Sequence, residues 1–174
     1  MKNEASGESI RLILSDVDGV LTDGGIVYDN EGVEQKRFHV RDGLGINLWQ
    51  RAGHIFGILT ARTSHIVQVR TAELGIHIVC QGFEDKLAKG REVIAELNLE
   101  PREVCFIGDD LPDLPLIREV GMGVAVADAS PEVREVADYV TSCKGGKGAV
   151  REVVEMLLRA QQRWDDIVRP YTEA

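Results

Sequence analysis

Two acids stand on alternate residues where an apolar run ends in LILSDVDGVLTDGG (12–25): Asp16 and Asp18. A second apolar run, VCFIG, leads into another acidic group, Asp109, Asp110 and Asp113. Carboxylates at the end of a buried strand cost folding energy unless something compensates them. Two of them about 4 Å apart repel by roughly 4 kcal/mol at an effective dielectric of about 20. A hard divalent cation reverses that penalty, and Mg2+ takes one or two carboxylates, keeps some waters and accepts a phosphate oxygen. The remaining polar residues at strand ends suit the phosphate. Thr60 offers a hydroxyl, the turn after it offers main-chain amides at a helix start, and Lys86 offers a point charge. Such a set is equipped for phosphoryl transfer, in which positioning and charge neutralisation do most of the catalytic work.

The elements that would position these residues follow from hydrophobic pattern. RLILSD (11–16), HIFGILTA (54–61), IHIVC (76–80), VCFIGDD (104–110) and GVAVA (123–127) are short continuous apolar runs, as expected of parallel strands covered on both faces. Helical spacing separates them over 43–52, 63–74 and 86–98, and Ser130-Pro131 reads as a helix cap and first turn. DYVTS (138–142) adds an edge strand, and Val150, Val153, Val154, Leu157 and Leu158 form the stripe of a last helix. The alternation predicts an α/β fold: a doubly wound, Rossmann-like parallel sheet whose ligands bind beyond the carboxyl ends of the strands. GGIVYDNEGVEQKRF breaks the alternation and reads as a β-hairpin over 24–38, a flap placed just after the Asp16/Asp18 loop. The expected organisation is a flexible tail over 1–9, one domain over 10–164 and a loose C-terminal tail over 165–174.

Composition narrows the function. At 174 residues, 44% hydrophobic and 28% charged, the chain is ordinary globular material. No apolar run approaches the roughly 20 residues that span a bilayer, so no membrane partner is expected. Twenty Lys+Arg against 29 Asp+Glu give a net charge of −9, the wrong sign for a nucleic-acid binder. MKNEASGES lacks the apolar core of a signal peptide, which points to the cytoplasm, and Cys80, Cys105 and Cys143 form neither a CxxC pair nor an even framework.

DVDGVLTD, Thr60 in ILTAR, Lys86 and GDDLPD, in that order, resemble the four motifs of the haloacid dehalogenase superfamily of phosphatases. FHVRDG (38–43), QGFEDK (81–86), VGMGVAVADA (120–129), ADYVT (137–141) and GGKGAVREV (145–153) extend the likeness to its 3-deoxy-D-manno-octulosonate 8-phosphate (KDO 8-phosphate) phosphatase family, over most of the chain. The resemblance implies a Mg2+-dependent phosphomonoesterase that releases a sugar acid for lipopolysaccharide precursor synthesis. Asp16 would be the nucleophile, Asp18 the general acid and base, and Thr60 and Lys86 the holders of the phosphoryl group. Asp16, Asp109 and the main-chain carbonyl of Asp18 would hold the metal, Asp110 would support a metal-bound water, and Asp113 would orient Lys86 or its neighbours. Phe38, His39, Val40, Arg41 and Asp42 match the family's substrate-contacting segment, and Arg62 and Arg70 suit a substrate carboxylate. Asn47 and Lys147 stand where arginine is expected, and Ala61 where glycine is common.

The intervals between motifs are filled by the elements already named, leaving no room for an inserted cap domain. The resemblance implies a homotetramer instead, with hairpins meeting centrally and neighbouring subunits completing each site, the GGKG loop among the elements that reach across. A nine-carbon keto acid phosphate is the alternative substrate. Outside this enzyme class stand a signalling receiver domain, whose phosphoacceptor follows the third strand instead of the first, and a non-catalytic assembly domain.

Overall fold

A computed structural model describes residues 4–173. The strands are β1 (Leu12–Ser15), β2 (Val27–Tyr28), β3 (Glu34–Gln35), β4 (Ile55–Thr60), β5 (Ile78–Gln81), β6 (Val104–Gly108), β7 (Met122–Ala125) and β8 (Tyr139–Val140). The helices are α1 (Val40–Arg51), α2 (His65–Glu73), α3 (Lys86–Glu96), α4 (Leu114–Glu119), α5 (Pro131–Val136), α6 (Ala149–Ala160) and α7 (Trp164–Thr172). Six strands form one parallel sheet in the order β5-β4-β1-β6-β7-β8. The expected doubly wound α/β fold is present, and among the described residues no cap domain is inserted.

The most apolar strands lie in the middle because both faces are covered. Every residue of β1 and β6 is buried, while β5, at one edge, is only half-buried. Helix α1 packs on α6, α3 on α4, and α4 on α5. The expected stripe of α6 is wholly buried: Val150, Val153, Val154, Leu157 and Leu158 each have 0% exposure. Trp49 is equally buried, its indole N–H donating to Ile55 O at 2.8 Å and its ring stacking on His54. Cys80 and Cys105 are buried thiols packed as small hydrophobes, as their apolar settings predict.

The strand order fixes where the site must be. β1 is central, with β4 on one side and β6 on the other, so the segments leaving these three strands emerge side by side. β2 and β3 pair antiparallel, Val27 with Gln35 and Tyr28 with Glu34, giving a much shorter ladder than the hairpin expected over 24–38. Asp29 supplies its turn, accepting the N–H groups of Glu31 and Val33, both at 2.9 Å.

Both expected tails differ from the structure. Residues 4–9 form 3-10 turns, and Gln161 Nε2 pins them by donating to Gly7 O and Ile10 O; residues 1–3 lie outside the described ones. The segment after Trp164 is helical to Thr172 because Trp164 is buried, with Arg151 and Arg159 over its ring, and Ile167 and Val168 pack against the core. Ala174 lies outside the described residues.

Candidate active site

Asp16 is the first residue past β1, and its N–H donates to Ile107 O of β6 at 2.9 Å, so the sheet ladder itself places it. Its Oδ1 accepts the Val17 N–H at 2.7 Å, which leaves Oδ2 facing Lys86 Nζ at 3.0 Å. Lys86 opens α3, where Asp85 caps the helix by accepting from Ala88 N, and its side chain is 4% exposed. A lysine so buried needs partners. Its second is Asp113, whose Oδ1 lies 2.6 Å from Nζ.

Asp113 also ties down the loop after β6. Its Oδ2 accepts the N–H groups of Asp109 at 2.8 Å and Asp110 at 3.2 Å. Both oxygens are thereby occupied, which makes Asp113 the brace between Lys86 and the acidic loop. Asp109 is held differently: its Oδ1 is buried with no hydrogen-bond partner. Gly19, at φ +96°, permits the β1 loop to lie against this carboxylate, since a Cβ there would sit 2.0 Å from Asp109 Oδ2.

Carboxylate oxygens of Asp16, Asp109 and Asp113 lie within 4.8 Å of one another. Three acids face one ammonium, and the electrostatics follow. Burial first, then the Asp113 charge, raises the Asp16 pKa above the ordinary carboxylate range, against the opposing pull of Lys86. Burial, then Asp16 and Asp113, raises Asp109. Burial alone would lower Lys86, but Asp16 and Asp113 outweigh it and the net shift is upward. Excess negative charge, hard oxygens and an orphaned buried oxygen on Asp109 together fit a divalent cation of the Mg2+ type. Of the three, Asp109 has the unpartnered oxygen, and Asp16, which shares its oxygens with Val17 N and Lys86 Nζ, would be the second carboxylate to hold the ion.

Thr60 ends β4, 2% exposed, and its hydroxyl accepts the Arg62 N–H at 3.4 Å. Asp18 belongs to a second cluster, which hydrophobic pattern did not reveal. Lys36 pairs with Asp18 Oδ1, and Arg62 Nε lies 3.6 Å from Asp18 Oδ2. Glu34 binds both cations, at 2.7 Å from Arg62 Nη2 and 3.4 Å from Lys36 Nζ, and accepts the Ser64 hydroxyl at 2.8 Å. The signal for Glu34 and Lys36 was their alternation in the hairpin, which puts both side chains on one face. Only knowledge of which face meets Asp18 would have completed it.

The other expected substrate contacts divide. Phe38, His39, Asp42 and Arg70 line one small cavity beside α1 and α2, with Arg70 5.8 Å over the Phe38 ring. Asp42 is also buried, accepting from Arg151 N at 2.8 Å and Gly148 N at 3.3 Å, and so secures the start of α6. Asp110 likewise accepts from Leu111 N at 2.8 Å and caps the turn that follows. Val40 and Arg41 begin α1 on its exposed side, Val40 at 79%. The GGKG loop folds back on its own chain: a Cβ at Gly145 would strike Gly19 O, and Gly146 N donates to Val20 O. It therefore buttresses the β1 loop of its own site.

Comparison with known proteins agrees with this geometry. A family profile described as haloacid dehalogenase-like hydrolase matches residues 80–153. The 3-deoxy-D-manno-octulosonate 8-phosphate phosphatase of Escherichia coli K12 is 46% identical over 162 residues, covering 93% of this chain and 86% of that protein. The crystal structure of the same-named enzyme from Moraxella catarrhalis, in complex with magnesium ion, phosphate ion and KDO, superposes with a TM-score of 0.95 at 42% identity, covering 97% of each chain. A cobalt-bound phosphatase of this name from Haemophilus influenzae gives a TM-score of 0.89 at 40% identity, over 91% of this chain and 93% of that one. The chain belongs to the haloacid dehalogenase-like hydrolases, within the 3-deoxy-D-manno-octulosonate 8-phosphate phosphatase family.

Proposed function

We propose that this protein is a Mg2+-dependent phosphatase that hydrolyses KDO 8-phosphate to the free sugar acid and phosphate. One observation carries the reading: three carboxylates and a buried lysine converge where β1, β6 and α3 meet, with Asp109 Oδ1 unpartnered. Mg2+ held by Asp16, Asp109 and the Asp18 carbonyl would neutralise the phosphate and the Asp16 charge together. Asp16 Oδ2 attacks phosphorus to form an aspartyl-phosphate. Asp18 gives a proton to the departing sugar oxygen and then takes one from the water that hydrolyses the intermediate. Lys86, fixed by Asp113, and the Thr60 hydroxyl hold the phosphoryl oxygens. Arg62 and Arg70 are offered as contacts to the sugar carboxylate; Arg62, 43% exposed at the mouth of the site, is the better placed.

The hairpin supports a homotetramer, because it presents Ile26, Val27, Tyr28 and Val33 to solvent, all at least 45% exposed. Assembly through these residues would shield the site as a cap domain does elsewhere. Full activity in a stable monomer, by sedimentation and dilution assays, would refute it. Three free thiols support a cytoplasmic address. The substrate is tested by kcat/KM over a panel of sugar phosphates: KDO 8-phosphate should lead, and a nine-carbon keto acid phosphate ahead of it would overturn the assignment.

A further inference from the structure

Lys36 is a buried ammonium for which the steps above have no use. Its side chain is 1% exposed, less than that of Lys86, although it follows a two-residue strand in a largely exposed hairpin. A lysine withdrawn from water persists only where partners hold it, and Lys36 has two, Asp18 Oδ1 and Glu34 Oε1. Glu34 is itself fastened to Arg62 and Ser64, in the segment that links β4 to α2. The inward face of the hairpin is thus tied at one point to the β1 loop and at another to the loop that follows β4.

The consequence is an asymmetry between the two oxygens of Asp18. Oδ1 is taken by Lys36, whereas Oδ2 lies 3.6 Å from Arg62 Nε, beyond hydrogen-bond reach. We propose that Lys36 is a positioning residue: it clamps Oδ1 so that Oδ2 is the oxygen presented to the leaving group. This rests on the acid–base role proposed for Asp18. In the first half-reaction the Asp16 oxygen bonds to phosphorus, the bond from phosphorus to the sugar oxygen breaks, and the proton on Asp18 Oδ2 passes to that oxygen. In the second, water bonds to phosphorus, its proton passes to Oδ2, and the bond to Asp16 breaks. Lys36 keeps its protons throughout and touches neither phosphorus nor the sugar.

The test uses the Mg2+-loaded enzyme in excess, so that one turnover reports leaving-group release. With KDO 8-phosphate, whose alkoxide needs a proton, Lys36→Met should slow release about 30-fold. With p-nitrophenyl phosphate, whose phenolate departs unprotonated, the loss should stay below about threefold. Lys36→Arg should restore most of the rate on the sugar phosphate. Asp18→Asn should show the same division between esters, and adding Lys36→Met to it should slow sugar release by less than about twofold more. Equal slowing of both esters, or losses that multiply in the double variant, would overturn the proposal. Full-rate sugar release by Lys36→Met would overturn it too, while leaving the phosphatase assignment standing. No sugar release by the unsubstituted enzyme would instead defeat that assignment, and the role of Lys36 with it.

Discussion

The nest behind β1 and β6 and the cluster under the hairpin share one loop, with Asp16 serving the first and Asp18 the second. Their charges are arranged oppositely. The nest sets Asp16, Asp109 and Asp113 against the single cation Lys86, and leaves Asp109 Oδ1 without a partner. The hairpin cluster sets Asp18 and Glu34 against Lys36 and Arg62 and is neutral as it stands. The nest rests on the fully buried centre of a six-stranded sheet; the cluster rests on two strands of two residues each. A rigid frame can hold charges in surplus and so remain ready for a cation. A two-stranded ribbon, marginal by itself, depends on charges that cancel.

The largest effect that would break this contrast is at Asp16. Asp16→Asn should lower kcat by at least about 10^4-fold with the fold intact by circular dichroism; substantial residual turnover, with deamidation excluded by mass spectrometry, would remove covalent catalysis from the account. Next comes Asp113, 1% exposed. Asp113→Ala leaves the buried Lys86 with Asp16 as its remaining carboxylate partner and strands two main-chain amides, and urea unfolding should register a loss of about 3 kcal/mol.

The third prediction concerns pH. Asp16 and Asp109 are raised in the folded protein without metal, so the fold holds their protons more tightly than the unfolded chain does. Stability from this source is complete below about pH 4, the ordinary carboxylate value, and is lost as pH rises through the raised values. The Tm in EDTA should therefore fall between about pH 5 and pH 8, while the gain on adding Mg2+ grows over that range, reaching about 2.7 kcal/mol at a hundredfold excess over Kd. Asp109→Asn should flatten both trends, and a Mg2+ gain unchanged by that substitution would place the ion elsewhere. The smallest effect belongs to the neutral cluster. Glu34→Gln should cost less than about 1 kcal/mol by thermal unfolding, and a loss as large as that of Asp113→Ala would erase the distinction between the two regions.

The same contrast governs what could be read from sequence. Continuous apolar runs ending in polar residues, acids after β1 and β6 and Thr60 in β4, located these strands and brought Asp16, Thr60, Lys86, Asp109 and Asp113 to one edge of a sheet, since a parallel strand leaves its last residue little freedom. Where partners come from distant segments with no periodicity to announce them, pattern was silent. Asp42 caps a helix 106 positions away from it at Gly148, Glu34 and Lys36 find Asp18 and Arg62 through the path of a hairpin, and Trp164 turns an expected tail into α7 by packing on α6. Asp110 resembled its neighbours in type but spends its carboxylate on the turn that follows.

The central claim is that the buried carboxylate at the end of β1 takes the phosphoryl group. Rapid acid quench of the Mg2+-loaded enzyme with substrate labelled in the phosphate, followed by peptide mapping, tests it most directly. The label should be found on the peptide holding Asp16 and be absent from Asp16→Asn. Label on Asp109 or Asp113, or no phosphoenzyme at any quench time while turnover proceeds, would contradict the account.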